Sequence, residues 1–149
     1  MKEIVVTLIT AALGTLGFSI LFYVHPRRLF FATMGGILTC GVYLLAGYFL
    51  PGELIPNLLG AMVGAGFSEL MSRLTKAPVP IYMVPCVIPL VPGSGLYASM
   101  FNFVAGNYTA AAAAGMRTLE ISMGIAGGIV VASVFSLFIR PRRGRKAKS

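Results

Sequence analysis

The sequence has no tryptophan and no aspartate, and only one histidine, two cysteines and four acidic residues among its 149. Each shortage removes a class of chemistry. With His25 alone, no cluster of imidazoles can hold a metal ion. Cys40 and Cys86 both fall inside apolar stretches without metal-type spacing, so they read as small core residues. A hydrolase working within a membrane would pair Ser94 with a base, yet the only histidine falls in a loop at the end of another segment. Neither an enzyme nor a bound metal or cofactor is expected.

Charge is scarce as well. Charged residues make up 11% of the chain, 57% is hydrophobic, and the mean hydropathy is +0.87. Soluble domains carry about 25% charged residues. The expected fold class is therefore an all-α polytopic integral membrane protein, with residues 1–149 forming a single transmembrane domain. The start, "MKEIVVTLIT", does not read as a signal peptide, because its apolar run meets basic residues rather than a cleavage site.

About 20 apolar residues cross a bilayer as a helix. Five spans are expected on that criterion, over 4–24, 29–50, 54–71, 81–104 and 119–139. The basic residues fit that count. Arg27, Arg28, Arg73, Lys76 and the six in the tail 140–149 fall on one side, and only Lys2 and Arg117 on the other. This asymmetry predicts an outside N-terminus and a cytoplasmic C-terminus in the cell (inner) membrane. The tail, "RPRRGRKAKS", has no nucleic-acid recognition fold beside it, so anionic lipid is its expected neighbour and nucleic acid is not.

The fourth span is the unusual one. It lies in the longest uncharged run, Ala77 to Met116, and contains "VIPLVPGSGLY". Proline cannot donate to the carbonyl four residues back. In a helix Pro85, Pro89 and Pro92 would free the carbonyls of Ile81, Pro85 and Ile88, and spacings of four and three place these prolines on one face. Gly93-Ser94-Gly95 then permits a sharp turn before the helix restarts. A helix beginning inside a membrane offers free N–H groups and partial positive charge, which suits a carboxylate. The candidate substrate-binding residues are Gly93, Ser94, Gly95 and Tyr97 with Pro89 and Pro92. The competing reading is a kinked helix that merely packs.

Few charges accompany these spans. Glu69 precedes Arg73 by four residues, the order of a helical ion pair, and reads as a surface pair. Arg117 and Glu120, three apart, form either an interfacial pair or part of a substrate path, with Arg117 meeting a carboxylate and Glu120 an ammonium or proton. "NYTAAAAAGMR", Asn107 to Arg117, either extends the last helix or lies along the interface. Gly60 with Gly64 and Gly124 with Gly128 are small-xxx-small patterns, expected to serve ordinary helix packing.

"VIPLVPGSGLY", preceded by "KAPVP", resembles the central signature of the threonine/serine exporter (ThrE) family, and "GFSILFYVHPRRL" from Gly17 to Leu29 is similar to that family's start. Size and span count resemble the small YjjB-like subunit, the C-terminal-half type. The resemblance implies a larger YjjP-like partner subunit and proton-driven export of small metabolites, threonine and serine first. It also leaves two alternatives: a dicarboxylate exporter of succinate type, or an accessory scaffold that does not contact substrate.

Overall fold

The computed structural model describes residues 2–22 and 25–139; the basic tail 140–149 lies outside them. The described residues are helical throughout, joined by short turns. The helices are α1 (Lys2–Leu21), α2 (Pro26–Phe49), α3 (Leu54–Thr75), α4 (Pro80–Val87), α5 (Gly93–Val104) and α6 (Tyr108–Ile139), with a 3-10 turn at Ile88–Leu90 between α4 and α5.

Local chemistry sets the boundaries. Pro26 opens α2 at a position where its missing N–H is no loss, and the His25 carbonyl accepts from Arg28 and Leu29. Leu50 turns extended ahead of Pro51, and Gly52 at φ 92° makes the turn into α3. At the other end of α3, Lys76 is left-handed at φ 53°. The Ala77 N–H donates back to Ser72 O at 3.1 Å. Asn107 caps α6, its Oδ1 accepting from the Ala110 N–H and the Thr109 hydroxyl.

That cap decides the reading of "NYTAAAAAGMR". The stretch is the start of α6, so the last helix begins at Tyr108 rather than near 119 and runs 32 residues, about 48 Å. The alanine run favours this continuation.

Among the described residues three stretches are long and apolar enough to cross a membrane: Arg28–Phe49, Leu54–Thr75 and Tyr108–Phe138. Pro80–Leu90 and Gly93–Val104, bent by 51°, make a fourth if taken as one broken span. The first expected span corresponds to a shorter apolar helix, Val5–Leu21. The whole of α1 runs 20 residues, about 30 Å, close to a typical hydrocarbon core of about 30 Å. Among the described residues, length and composition alone therefore show three crossings, or four with the bent pair.

Between membrane helices, close contact of small residues supplies the packing that hydrophobicity cannot. Here a threonine of one helix repeatedly seats on a glycine of the next. A Cβ at Gly36 would collide with Thr15, one at Gly64 with Thr39, and one at Gly95 would lie 2.5 Å from Thr118 Oγ1. These three contacts join α1 to α2, α2 to α3, and α5 to α6. Each hydroxyl is satisfied within its own helix: Thr15 donates to Ala11 O, Thr39 to Gly35 O and Thr118 to Ala114 O, at 2.7–2.8 Å. Threonine can therefore be buried here without an unpaired donor.

The α3–α6 pair is tighter still. A Cβ at Gly124 would lie 2.5 Å from Leu54 O; one at Gly128 would overlap Leu58 O and meet Met62 N at 2.8 Å. Both glycine patterns are used for packing inside this chain: Gly60 and Gly64 against α2, Gly124 and Gly128 against the α3 main chain. Cys40 and Cys86 are buried free thiols.

Candidate functional site

The chain breaks where the prolines cluster. Pro85 sits inside α4 and is buried; Pro89 falls in the 3-10 turn; Pro92 is the residue before α5. Ile88 O, expected to be free, accepts from the Val91 N–H at 3.1 Å, because the 3-10 turn supplies a donor three residues on instead of four. At the start of α5 the Gly93 N–H donates to Val91 O at 2.9 Å and the Leu96 N–H to Pro92 O at 3.1 Å. The amides of Ser94 and Gly95 have no hydrogen-bond partner among the described residues, and no side chain caps the helix. Those two N–H groups carry the positive end of α5.

They border a cavity of about 670 Å³. Pro89, Pro92, Ser94 and Gly95 line one wall, Ala114, Arg117 and Thr118 of α6 another. Glu53, at the turn into α3, and Asn57 of α3 complete it beside Tyr43 of α2. Arg117 Nε donates to Glu53 Oε1 at 3.1 Å, and its terminal nitrogen contacts the same oxygen. This ion pair spans the cavity wall between α3 and α6, with Arg117 largely exposed and Glu53 mostly covered. Tyr43 is near enough to Glu53 to interact with it electrostatically.

The sequence-derived candidates divide on this geometry. Pro89, Pro92, Ser94, Gly95 and Arg117 converge on the cavity. Gly93 does not line it and has committed its N–H to Val91. Tyr97 is also outside the lining: it is 71% exposed and stacks on Phe101 with centroids 6.1 Å apart. Glu120 is exposed on α6, away from the lining. The salt bridge of Arg117 is made with Glu53, not with Glu120, because the long side chain reaches from α6 to the α2–α3 turn.

The Glu69–Arg73 pair is present, at 3.7 Å, but it is not a simple surface pair. Arg73 donates to both Ser136 O and Ser136 Oγ at 3.0 Å, and Ser136 donates to Glu69 Oε2. The trio fastens α3 to α6 beside a smaller cavity of about 440 Å³, lined mainly by apolar side chains such as Met62, Leu70 and Phe135.

Spacing along the chain did not single out Tyr43, Glu53 as an ion-pair partner, or Asn57. Asn57 carried a usable signal: a carboxamide within an apolar span needs hydrogen-bond partners there. Glu53 carried none, because "PGE" reads as an ordinary loop and the contact with Arg117 bridges 64 residues.

No solved structure matches this chain. The sequence model of the family described as "Threonine/Serine exporter, ThrE" matches residues 7–135. That match includes both helix-packing seams, the break and the whole cavity wall. The family is one of transporters and not of enzymes, which removes Ser94 as a nucleophile and gives the bundle a transport role. On a match over most of its length, the chain belongs to the threonine/serine exporter (ThrE) family.

Proposed function

We propose that the chain is the small, C-terminal-half subunit of a two-subunit secondary exporter, with five spans, an outside N-terminus and a cytoplasmic C-terminus in the cell membrane. It carries small carboxylate-bearing metabolites, threonine and serine first, driven by the proton gradient. The substrate carboxylate sits at the start of α5, against the Ser94 and Gly95 amides and the Ser94 hydroxyl. The observation that carries this reading is the pair of unpartnered amides bordering the cavity at the break. Such helix starts hold anions in broken-helix transporters.

Two further features support its particulars. Arg117 is already paired with Glu53, so the wall offers one positive and one negative side chain rather than a spare cation. That favours an amino acid over a dicarboxylate. No residue of α5 is buried within this chain, which leaves its outer face for the larger partner subunit.

Metabolite profiling of medium from cells carrying both subunits tests the substrate; threonine and serine are expected to exceed succinate. Ser94→Leu, which fills the cavity wall beside the amides, is expected to lower that export at least ten-fold. Unchanged export in Ser94→Leu removes the site.

A further inference from the structure

Asn57 is the polar residue in the cavity wall that the ion pair and the α5 amides leave unexplained. It lies in the first turn of α3, is 2% exposed, and packs against α6 so closely that a Cβ at Gly124 would lie 3.2 Å from its own Cβ. Its Nδ2 donates to Glu53 O at 2.7 Å. A carbonyl oxygen accepts only a donor, so this bond fixes which end of the carboxamide is which. The other end, Oδ1, has no hydrogen-bond partner among the described residues. Among the described residues Ser19 Oγ is the one side-chain polar atom both sealed from solvent and unpartnered, so Asn57 Oδ1 is not sealed, and Asn57 lines the cavity.

A nearly buried carbonyl oxygen without a donor is costly unless water or a ligand supplies one. The rest of the wall sets what that ligand is. Ser94 and Gly95 present N–H donors, which take an anion; Asn57 presents a neutral acceptor, which takes a donor. Glu53 is the only carboxylate in the lining and is held by Arg117. We infer that Asn57 Oδ1 is the specificity-determining acceptor of the cavity, binding an ammonium or hydroxyl on the same small molecule whose carboxylate is held at the start of α5. This rests on the carboxylate site proposed above and adds a second point of recognition to it.

The test uses the two-subunit complex in proteoliposomes and two probes with the same four-carbon chain, L-threonine and butanoate. Butanoate keeps the carboxylate and lacks both donors. In Asn57→Leu, competition binding is expected to show L-threonine weakened roughly ten-fold or more, the scale of a lost hydrogen bond to a charged group. Butanoate should change less than about two-fold. Asn57→Asp keeps an acceptor oxygen, although it gives up the bond to Glu53 O, and is expected to retain preference for L-threonine. A threonine-to-butanoate ratio unchanged by Asn57→Leu overturns the inference, whether both affinities fall together or neither moves. If the unsubstituted complex binds neither probe, the proposed carboxylate site itself fails.

Discussion

Helix α6 is held in two different ways along its length, and the cavity lies where the two meet. In its second half, Gly124 and Gly128 bring it onto the α3 main chain, and Ser136 ties it to Glu69 and Arg73. In its first half it packs on α5, through Thr118 on Gly95 and the Ser99 hydroxyl on Ala111 O at 3.0 Å, and reaches the α2–α3 turn through the Arg117–Glu53 ion pair. The α3–α6 seam has backbone in contact with backbone and no room for a methyl group. The α5–α6 hairpin has side-chain contacts, no buried residue in α5, and a cavity where it leaves the rest of the bundle. A transporter needs a part that keeps its shape and a part that can change it. The seam suits the first task and the hairpin the second, with the cavity at their junction.

The largest effect should follow from breaking the seam. A methyl group at Gly128 would overlap Leu58 O and press on Met62 N and Ala61 Cβ, all fixed by helix α3. Gly128→Ala is expected to destabilise the bundle by about 1–3 kcal/mol, the usual range for overpacking. At the neighbouring Gly127 a Cβ would meet Leu58 Cδ1 at 3.6 Å, an ordinary contact. Gly127→Ala should therefore lie within about 0.5 kcal/mol of the parent. Thermal unfolding of the purified protein in detergent compares the two. Equal midpoints would remove the distinction between seam and surroundings.

The hairpin should respond in function before it responds in stability. In Gly95→Ala the new methyl would lie 2.5 Å from Thr118 Oγ1, so either Thr118 rotates and gives up its bond to Ala114 O or α5 shifts. A strain of about 1 kcal/mol corresponds to several-fold in an equilibrium, so export is expected to fall roughly five- to ten-fold. Thr118→Ala removes the obstructing oxygen and leaves the Thr118 Cβ at 3.6 Å, a comfortable distance. The double variant should therefore recover most of the export lost in Gly95→Ala, a coupling expected of residues in direct contact. Additive losses in the double variant would mean that Gly95 acts through something other than its fit to Thr118.

How much of this could be read along the chain depends on the range of the interaction. The break was legible because proline and glycine act on their own backbone: Pro85, Pro89, Pro92 and Gly93–Gly95 mark it without reference to anything distant. The freed Ile88 carbonyl was misjudged because a 3-10 turn re-used it, a change of hydrogen-bond register that composition does not specify. The partner of Arg117 was misjudged for a different reason. Spacing proposes neighbours on one helix, such as Glu120, whereas Glu53 becomes a neighbour only when α3 docks beside α6. Asn57 showed its polarity but not its free oxygen, which exists only because Nδ2 is spent on the Glu53 carbonyl.

The smallest effect separates the junction from the outer face of the hairpin. Tyr97 is only three residues beyond Ser94, and the sequence motif treats them as one unit. On a helix three residues is nearly a full turn, but α5 packs mainly against α6, so a small difference in angle decides whether a side chain meets the cavity or leaves it. Tyr97 leaves it, 71% exposed and stacked on Phe101 at an interplanar angle of 20°. Tyr97→Leu keeps an apolar group for lipid or a partner subunit and removes the hydroxyl. Export should stay within about two-fold of the parent, less than 0.5 kcal/mol. Gly93→Ala belongs to the same class, since a Cβ there meets nothing within 4 Å. A ten-fold loss in Tyr97→Leu with Phe101→Leu silent would mean that the tyrosine hydroxyl enters the cavity during transport, and the ligand wall would then extend up the hairpin instead of ending at the junction.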